Sequence, residues 1–252
     1  MLDLNNQRIL VTGASKGIGK AIAKKLLDDG ARVVLHYRST ADSVAELQNH
    51  YGASNAIPIQ ADLQDEAEAI ELFKTSVEKL SGLDSVVLNA GIFEPHPIND
   101  TMGAWLKVWR KTMQVNLDSV GILTKLCLEY FKKQNQGRLI YIGSRAAFRG
   151  ETEEYLAYAA SKGGMTSIAK SVARSFGKYN IKAFVIAPGF TRTEMAMEAI
   201  SKIGPDKVLE NLALNRLTTP EDISPIVALM CSGNMDHATG ATIDFNAGSH
   251  IR

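Results

Sequence analysis

RILVTGASKGIGKAIAKKL, residues 8–26, runs a short apolar segment straight into a glycine array at Gly13, Gly17 and Gly19. Glycine permits a tight turn and lets a backbone approach a pyrophosphate closely, while the helix that follows offers its N-terminal amides to the anion. The spacing GxxxGxG differs by one residue from the commonest dinucleotide fingerprint, GxGxxG, and no Walker lysine-serine pair closes the loop. Three glycines alone also suit a plain strand-to-helix turn. The surroundings argue for the dinucleotide reading, because a second strand follows at about the twenty residues such a unit needs.

Beyond this unit, short apolar runs keep alternating with longer amphipathic ones, the pattern of a parallel sheet covered on both faces. Strands are predicted at 8–13, 32–37, 56–62, 85–91, 137–144, 181–188 and 241–248, and helices near 17–29, 40–50, 64–80, 102–134, 155–178 and 220–232. The last helix carries a capping signature, with Thr219 as N-cap, Pro220 first and Asp222 in the first turn. No repeat, low-complexity tract or linker marks a boundary. The expected fold is therefore α/β: one Rossmann-type doubly wound domain over 1–252, with a seven-stranded, mostly parallel sheet.

Of the 252 residues 45% are hydrophobic, enough for a sizeable core, and 28 basic against 27 acidic residues leave a formal charge of +1. That balance gives no field for nucleic acid or an anionic membrane. Cys127 and Cys231, far apart, match neither a zinc site nor a disulfide framework, so no metal is expected and a reducing cytoplasm fits. No apolar run reaches the ~18 residues of a membrane span, and the start MLDLNNQ lacks the regions of a signal peptide.

Where an NAD site would place an acid on the ribose 2′-hydroxyl, at the end of the second strand, the sequence reads LHYRST. Tyr37 holds that place, followed by Arg38 and Ser39, with Lys16 in the glycine loop facing the same ribose. A guanidinium, an ammonium and a hydroxyl suit a 2′-phosphate, so NADP(H) is favoured over NAD(H).

EYLAYAASKGG, residues 154–164, raises a different chemistry. Tyrosine is a poor acid near neutrality, with a reference pKa of about 10, unless a cation stands near. On a helix that cation belongs at i+4. Of the seven tyrosines, Tyr158 alone meets a helical i+4 cation, Lys162; Arg145 follows Tyr141 across a strand end, where that spacing does not mean proximity. Tyr155 reads as pocket wall or helix surface.

Taken together, TGASKGIG, NAG at 89–91, Asn116 in MQVNLDSVG, Ser144 in YIGS, YAASK at 158–162, PGFTRT at 188–193 and the late ATGATIDFNAG strand resemble the short-chain dehydrogenases/reductases along essentially the whole chain. The resemblance implies that Tyr158 exchanges a proton with a substrate carbonyl or alcohol oxygen as hydride moves at a nicotinamide. It implies that Lys162 depresses the tyrosine pKa and bonds the nicotinamide ribose, that Ser144 polarises the carbonyl, and that Asn116 holds a water linking Lys162 to solvent. Cofactor contacts would come from Gly13, Ser15, Lys16, Gly17, Ile18 and Gly19, from Tyr37, Arg38 and Ser39, and from Asp62 and Leu63 at the adenine. Asn89, Ala90 and Gly91, then Pro188, Gly189, Phe190 and Thr193 at the carboxamide, would complete the set. Asn89 equally suits bracing backbone.

One departure is that fourteen positions separate Ser144 from Tyr158, one more than the commoner family spacing. Substrate choice is expected from the segments after the fourth strand, after Ser144 and at about 194–217, where Met195, Met197, Ile200, Ile203 and Leu209 suggest an apolar lid or plain packing. The chain looks most like the 3-oxoacyl-thioester reductase branch; alternatives are a dehydrogenase of a sugar, steroid or other small alcohol, or a dinucleotide-sensing protein without catalysis. Relatives commonly form tetramers, and a homotetramer or homodimer through segments 102–134 and 155–178 is expected, with Leu123, Leu126, Leu128, Phe131, Met165, Ile168, Val172 and Phe176 in its interface.

Overall fold

The computed structural model describes residues 2–194, 196, 197, 200 and 204–252. Seven strands form one sheet: β1 (Arg8–Val11), β2 (Arg32–Tyr37), β3 (Ala56–Gln60), β4 (Ser85–Leu88), β5 (Gly137–Ile142), β6 (Ile181–Pro188) and β7 (Thr242–Phe245). They lie in the order β3-β2-β1-β4-β5-β6-β7 and every neighbouring pair is parallel, where a mostly parallel sheet was expected. The order reverses between β1 and β4, and the crevice at that switch point, at the strand carboxyl ends, is where such sheets bind ligands.

Period-two alternation splits the strand side chains between two cores. Ile9, Val11, Val33 and Leu35 face one side with Ile22 and Leu26 of α1 (Gly17–Asp28). Leu10, Val34, Val86 and Leu139 face the other. That second face meets Leu72 of α3 (Glu66–Leu80), while α2 (Asp42–Tyr51) packs beside β3 on the first.

The run expected as one helix over 102–134 is interrupted. Met102–Met113 is α4, Ser119–Gln134 is α5, and a π-helical turn, Gln114–Asp118, joins them. Such single turns insert one residue into a helix and are frequent at functional sites. After β5 come the short α6 (Ala146–Arg149) and the long α7 (Leu156–Phe176); α8 (Pro205–Glu210) and α9 (Pro220–Cys231) precede β7. Neither α6 nor α8 was expected. The predicted cap of α9 forms: the Asp222 carboxylate accepts from the Thr219 N–H at 2.8 Å and hydroxyl at 3.1 Å, and Arg216 beside it pushes its pKa down. Cys127 and Cys231 are buried free thiols. Among the described residues no helix is long and apolar enough to cross a membrane.

Candidate active site

Gly13 and Gly17 sit at φ +67° and +53°, the left-handed region that favours glycine. Gly19 is helical, but a Cβ there would meet the Gly13 carbonyl oxygen at 2.1 Å. The glycines thus fold the loop onto the first turn of α1. That turn begins at Lys16 with no side-chain cap and no acidic residue. By contrast Asp65 caps α3 and Thr101 caps α4. An uncapped, acid-free N-terminus behind a glycine cradle fits the pyrophosphate of a dinucleotide.

Three side chains hold the cradle. Thr12 Oγ1 accepts from the Asn89 and Ala90 N–H groups at 2.9 and 3.0 Å, and Asn89 Nδ2 donates to the Thr12 and Gly13 carbonyls at 2.9 and 3.1 Å. Asn89 therefore braces backbone, the second of its two expected roles. His36, 3% exposed, accepts the Gly13 N–H on Nδ1 and reaches the Ala61 carbonyl with Nε2, both at 3.0 Å. These partners require the neutral ring with its proton on Nε2, and burial pushes the pKa of His36 down.

Tyr37, the last residue of β2, is half-buried, and Arg38 and Ser39 beyond it are exposed. Lys16 Nζ lies 3.8 Å from Glu194 Oε2. A surface pair at that distance is weak and easily exchanged for another anion. The carbonyl of Ser15 accepts from the Ser43 hydroxyl, and Ile18 packs against the first core. Asp62 Oδ1 accepts from the Gln64 N–H at 3.0 Å beside the buried Leu63.

Tyr158, Lys162 and Ser144 converge at the carboxyl end of β5. Ser144 stands two residues beyond the strand, where its hydroxyl acts to lower the Tyr158 pKa and accepts the Ala146 N–H at 3.1 Å, while Lys162, one turn along α7, places Nζ 5.8 Å from the Tyr158 ring centroid. Lys162 Nζ donates to the Ile142 carbonyl at 2.8 Å. The Tyr158 ring is half-buried, but its hydroxyl end is deep: burial raises its pKa to about 12, with the Ser144 hydroxyl pulling it down and the nearby Glu151 carboxylate pushing it up. Burial lowers Lys162 to about 8. For Tyr158 the largest effect is therefore its own burial, and Lys162 is not among the groups that shift it.

Asn116, at the centre of the π turn, is fully buried. Its Oδ1 accepts from the Ile92 N–H at 2.8 Å and its Nδ2 donates to the Ile92 carbonyl at 2.9 Å and to Ser161 Oγ at 3.3 Å. Both amide protons are engaged, so the side chain fastens the loop after β4 to α7. A Cβ on Gly91 would stand 3.3 Å from Asn116 Oδ1 and 3.5 Å from Lys162 Nζ, so Gly91 keeps this corner open.

The loop after β4 also supplies an aromatic wall. Phe93 stacks on Tyr155 at 3.9 Å and meets Tyr158 edge-on at 4.8 Å, which makes Tyr155 pocket wall. His96, fully buried, accepts the Ala157 N–H on Nε2 at 2.9 Å and so ties this loop to the start of α7.

On the far side, Arg145 N–H donates to the Pro188 carbonyl at 3.0 Å, the Gly189 N–H donates to the Phe245 carbonyl at 2.8 Å, and a Cβ on Gly17 would touch Thr193 Cγ2 at 3.1 Å. The Phe190 ring lies 4.8 Å from the Arg145 guanidinium. In the segment expected as a lid, Ile200 and Val208 are buried while Met197 and Leu209 are exposed; Met195 and Ile203 lie outside the described residues.

Sequence reasoning missed His36, Thr12, His96 and Arg145. Each acts through a contact between distant segments, and a lone His or Arg carries no spacing signal. The β2 histidine had one clue, a polar residue inside the otherwise apolar run VVLHY.

Comparison with known proteins places the chain. A family model described as short chain dehydrogenase matches residues 7–204. The chain is 31% identical over 250 residues to the 3-oxoacyl-[acyl-carrier-protein] reductase FabG of Vibrio cholerae, covering 99% of this chain and 100% of that one. It is 35% identical over 249 residues to the short-chain dehydrogenase/reductase eriH of Hericium erinaceus, covering 95% and 96%. The crystal structure of a short chain dehydrogenase from Burkholderia cenocepacia in complex with NADP superposes with a TM-score of 0.87 at 29% identity, covering 98% of this chain and 99% of that one.

Proposed function

This chain belongs to the short-chain dehydrogenase family, an NAD(P)-dependent oxidoreductase family, and from that premise we propose that it interconverts a carbonyl and a secondary alcohol with NADP(H), Tyr158 serving as the acid/base. The observation that carries the reading is the convergence of Tyr158, Ser144 and Lys162 beside an uncapped glycine cradle. Bound nicotinamide would supply or take the hydride. Gly13, Gly17, Gly19 and the first amides of α1 would hold the pyrophosphate, with Ser15 and Ile18 flanking it. Asp62, Leu63, Ala90 and Gly91 would line the adenosine and ribose, and Pro188, Gly189, Phe190 and Thr193 the carboxamide.

Tyr158, held to about 12, keeps its proton across the physiological range, the state needed to protonate a carbonyl oxygen. The Ser144 hydroxyl, on the Tyr158 side of the site, would orient that oxygen between them. Lys162, near 8, can pass a proton toward Tyr158 after turnover. Because the Asn116 carboxamide protons are engaged, a relay water at this turn would rest on main-chain atoms and on the remaining Oδ1 lone pair.

NADP(H) is preferred to NAD(H) on the strength of Lys16, Tyr37, Arg38 and Ser39 and of the NADP complex of the Burkholderia relative. The Vibrio relative's name makes a 3-oxoacyl thioester the first substrate to test, with sugars, steroids and small alcohols as alternatives. The reading is tested by following nicotinamide absorbance with a panel of ketones and alcohols and both cofactors. Oxidation of NADPH by a ketone supports it; inactivity across the panel with NADPH demonstrably bound would refute it.

A further inference from the structure

The residue after Ser144 is a cation sealed into the site. Arg145 is 6% exposed, and among the described residues its side chain makes one hydrogen bond, from Nη1 to Ser249 Oγ, and one ring contact, with Phe190 at 4.8 Å. A guanidinium has five N–H groups, and burying a charge is expensive unless an opposite charge meets it. Among the described residues no carboxylate lies within ion-pair distance. The nearest acid to influence it, Glu151, is taken by Arg149 at 3.5 Å. Arg145, Arg149 and Glu151 therefore leave one unbalanced positive charge, and it stands between the serine expected to orient the carbonyl and the aromatic residue of the nicotinamide loop.

We propose that Arg145 receives a carboxylate of the substrate, so that the substrate class is a small oxo acid or hydroxy acid rather than a neutral ester or thioester. The inference rests on the reductase reading and narrows it. One carboxylate cancels the surplus charge, whereas a doubly charged phosphate overshoots it. The planar guanidinium suits a bidentate carboxylate, and the Phe190 face keeps its plane fixed. A thioester at the same place would leave the buried cation unpaired. The extra residue between Ser144 and Tyr158 falls in the same loop, Arg145–Glu154, so this chain departs from its relatives where the cation is held.

The test compares 3-oxobutanoate, its methyl ester and its N-acetylcysteamine thioester as oxidants of NADPH. Wild type should favour the acid by about tenfold to a hundredfold in kcat/KM, the range for a hydrogen bond to a charged partner. Arg145→Met should raise KM for the acid by a similar factor and change the ester far less, with Arg145→Lys intermediate. Ser249→Ala, which releases the one hydrogen bond already made, should keep the acid preference. Independently of turnover, malonate should raise the melting temperature of wild type and not of Arg145→Met, and dimethyl malonate should do neither. Equal use of acid and ester, or equal loss of both in Arg145→Met, would overturn the proposal and leave Arg145 as a tie to the C-terminal segment. If none of the three oxidises NADPH, the wider panel of ketones and alcohols decides the reductase reading, and malonate protection decides for or against the carboxylate site.

Discussion

Tyr158 sits where two opposing environments meet. Burial raises its pKa and the Ser144 hydroxyl lowers it, with burial the larger effect. Tyr158→Phe removes the transferable proton while keeping the ring edge against Phe93, so turnover should fall by about 10²- to 10⁴-fold with NADPH affinity nearly unchanged. Tyr155→Phe keeps the stacked pair and should cost little. Single-turnover rates and NADPH fluorescence titration check both, and a Tyr158→Phe enzyme retaining a tenth of wild-type turnover would remove the assignment. His36 makes a second prediction at this scale. Its folded pKa lies below the ordinary value of about 6.5, so the unfolded chain takes the proton first. Its contribution to stability is then complete above pH about 6.5 and declines as the pH falls below it. His36→Asn keeps an acceptor for the Gly13 N–H but cannot ionise. The melting temperature of wild type should therefore fall between pH 6.5 and 5.5 more steeply than that of the variant; parallel curves would show that His36 does not titrate on unfolding.

At the scale of elements, what could be read in advance was what repeats within one element. The glycine spacing and the tyrosine–lysine pair one helical turn apart are local, so both stand where expected, as do all seven strands to within a few residues. The π turn at Asn116 was not legible, because it depends on Ile92 and Ser161 drawing the amide out of register. The burial around Tyr158 was not legible for the same reason: helical spacing reports the distance to Lys162, whereas burial belongs to the whole fold. Two predictions concern elements. Gly19→Ala would drive a methyl into the Gly13 carbonyl, a backbone atom with no freedom to yield, and should destabilise the chain by about 1–3 kcal/mol and weaken NADPH binding, seen in denaturant titrations with and without cofactor. At the β2–α2 turn, Tyr37→Asp with Arg38→Ala should move preference toward NADH, since the new carboxylate repels a 2′-phosphate and accepts from a 2′-hydroxyl. Equal specificity constants for the two cofactors in wild type would contradict that reading.

For the whole molecule, the open question is what covers α5 and α7. Half of the stripe expected at an interface serves this chain's own core: Leu123, Phe131, Met165 and Val172 are buried, and they pack in the second core cluster. The other half is only partly covered. Leu128, Ile168 and Phe176 line, with Val172, an apolar groove of about 600 Å³ between the two helices. A second copy laid across it on a two-fold axis would bury the same helices twice over, the isologous arrangement that closed oligomers favour. The catalytic pair is on α7, so assembly of this kind would also stiffen Tyr158 and Lys162. Light scattering at micromolar concentration should give a multiple of the single-chain 27.4 kDa. Leu128→Glu with Ile168→Glu should bring the mass down to one chain and lower turnover more than it lowers cofactor affinity. A wild-type mass of one chain would rule the interface out, and a double variant that stays assembled would place it on another face.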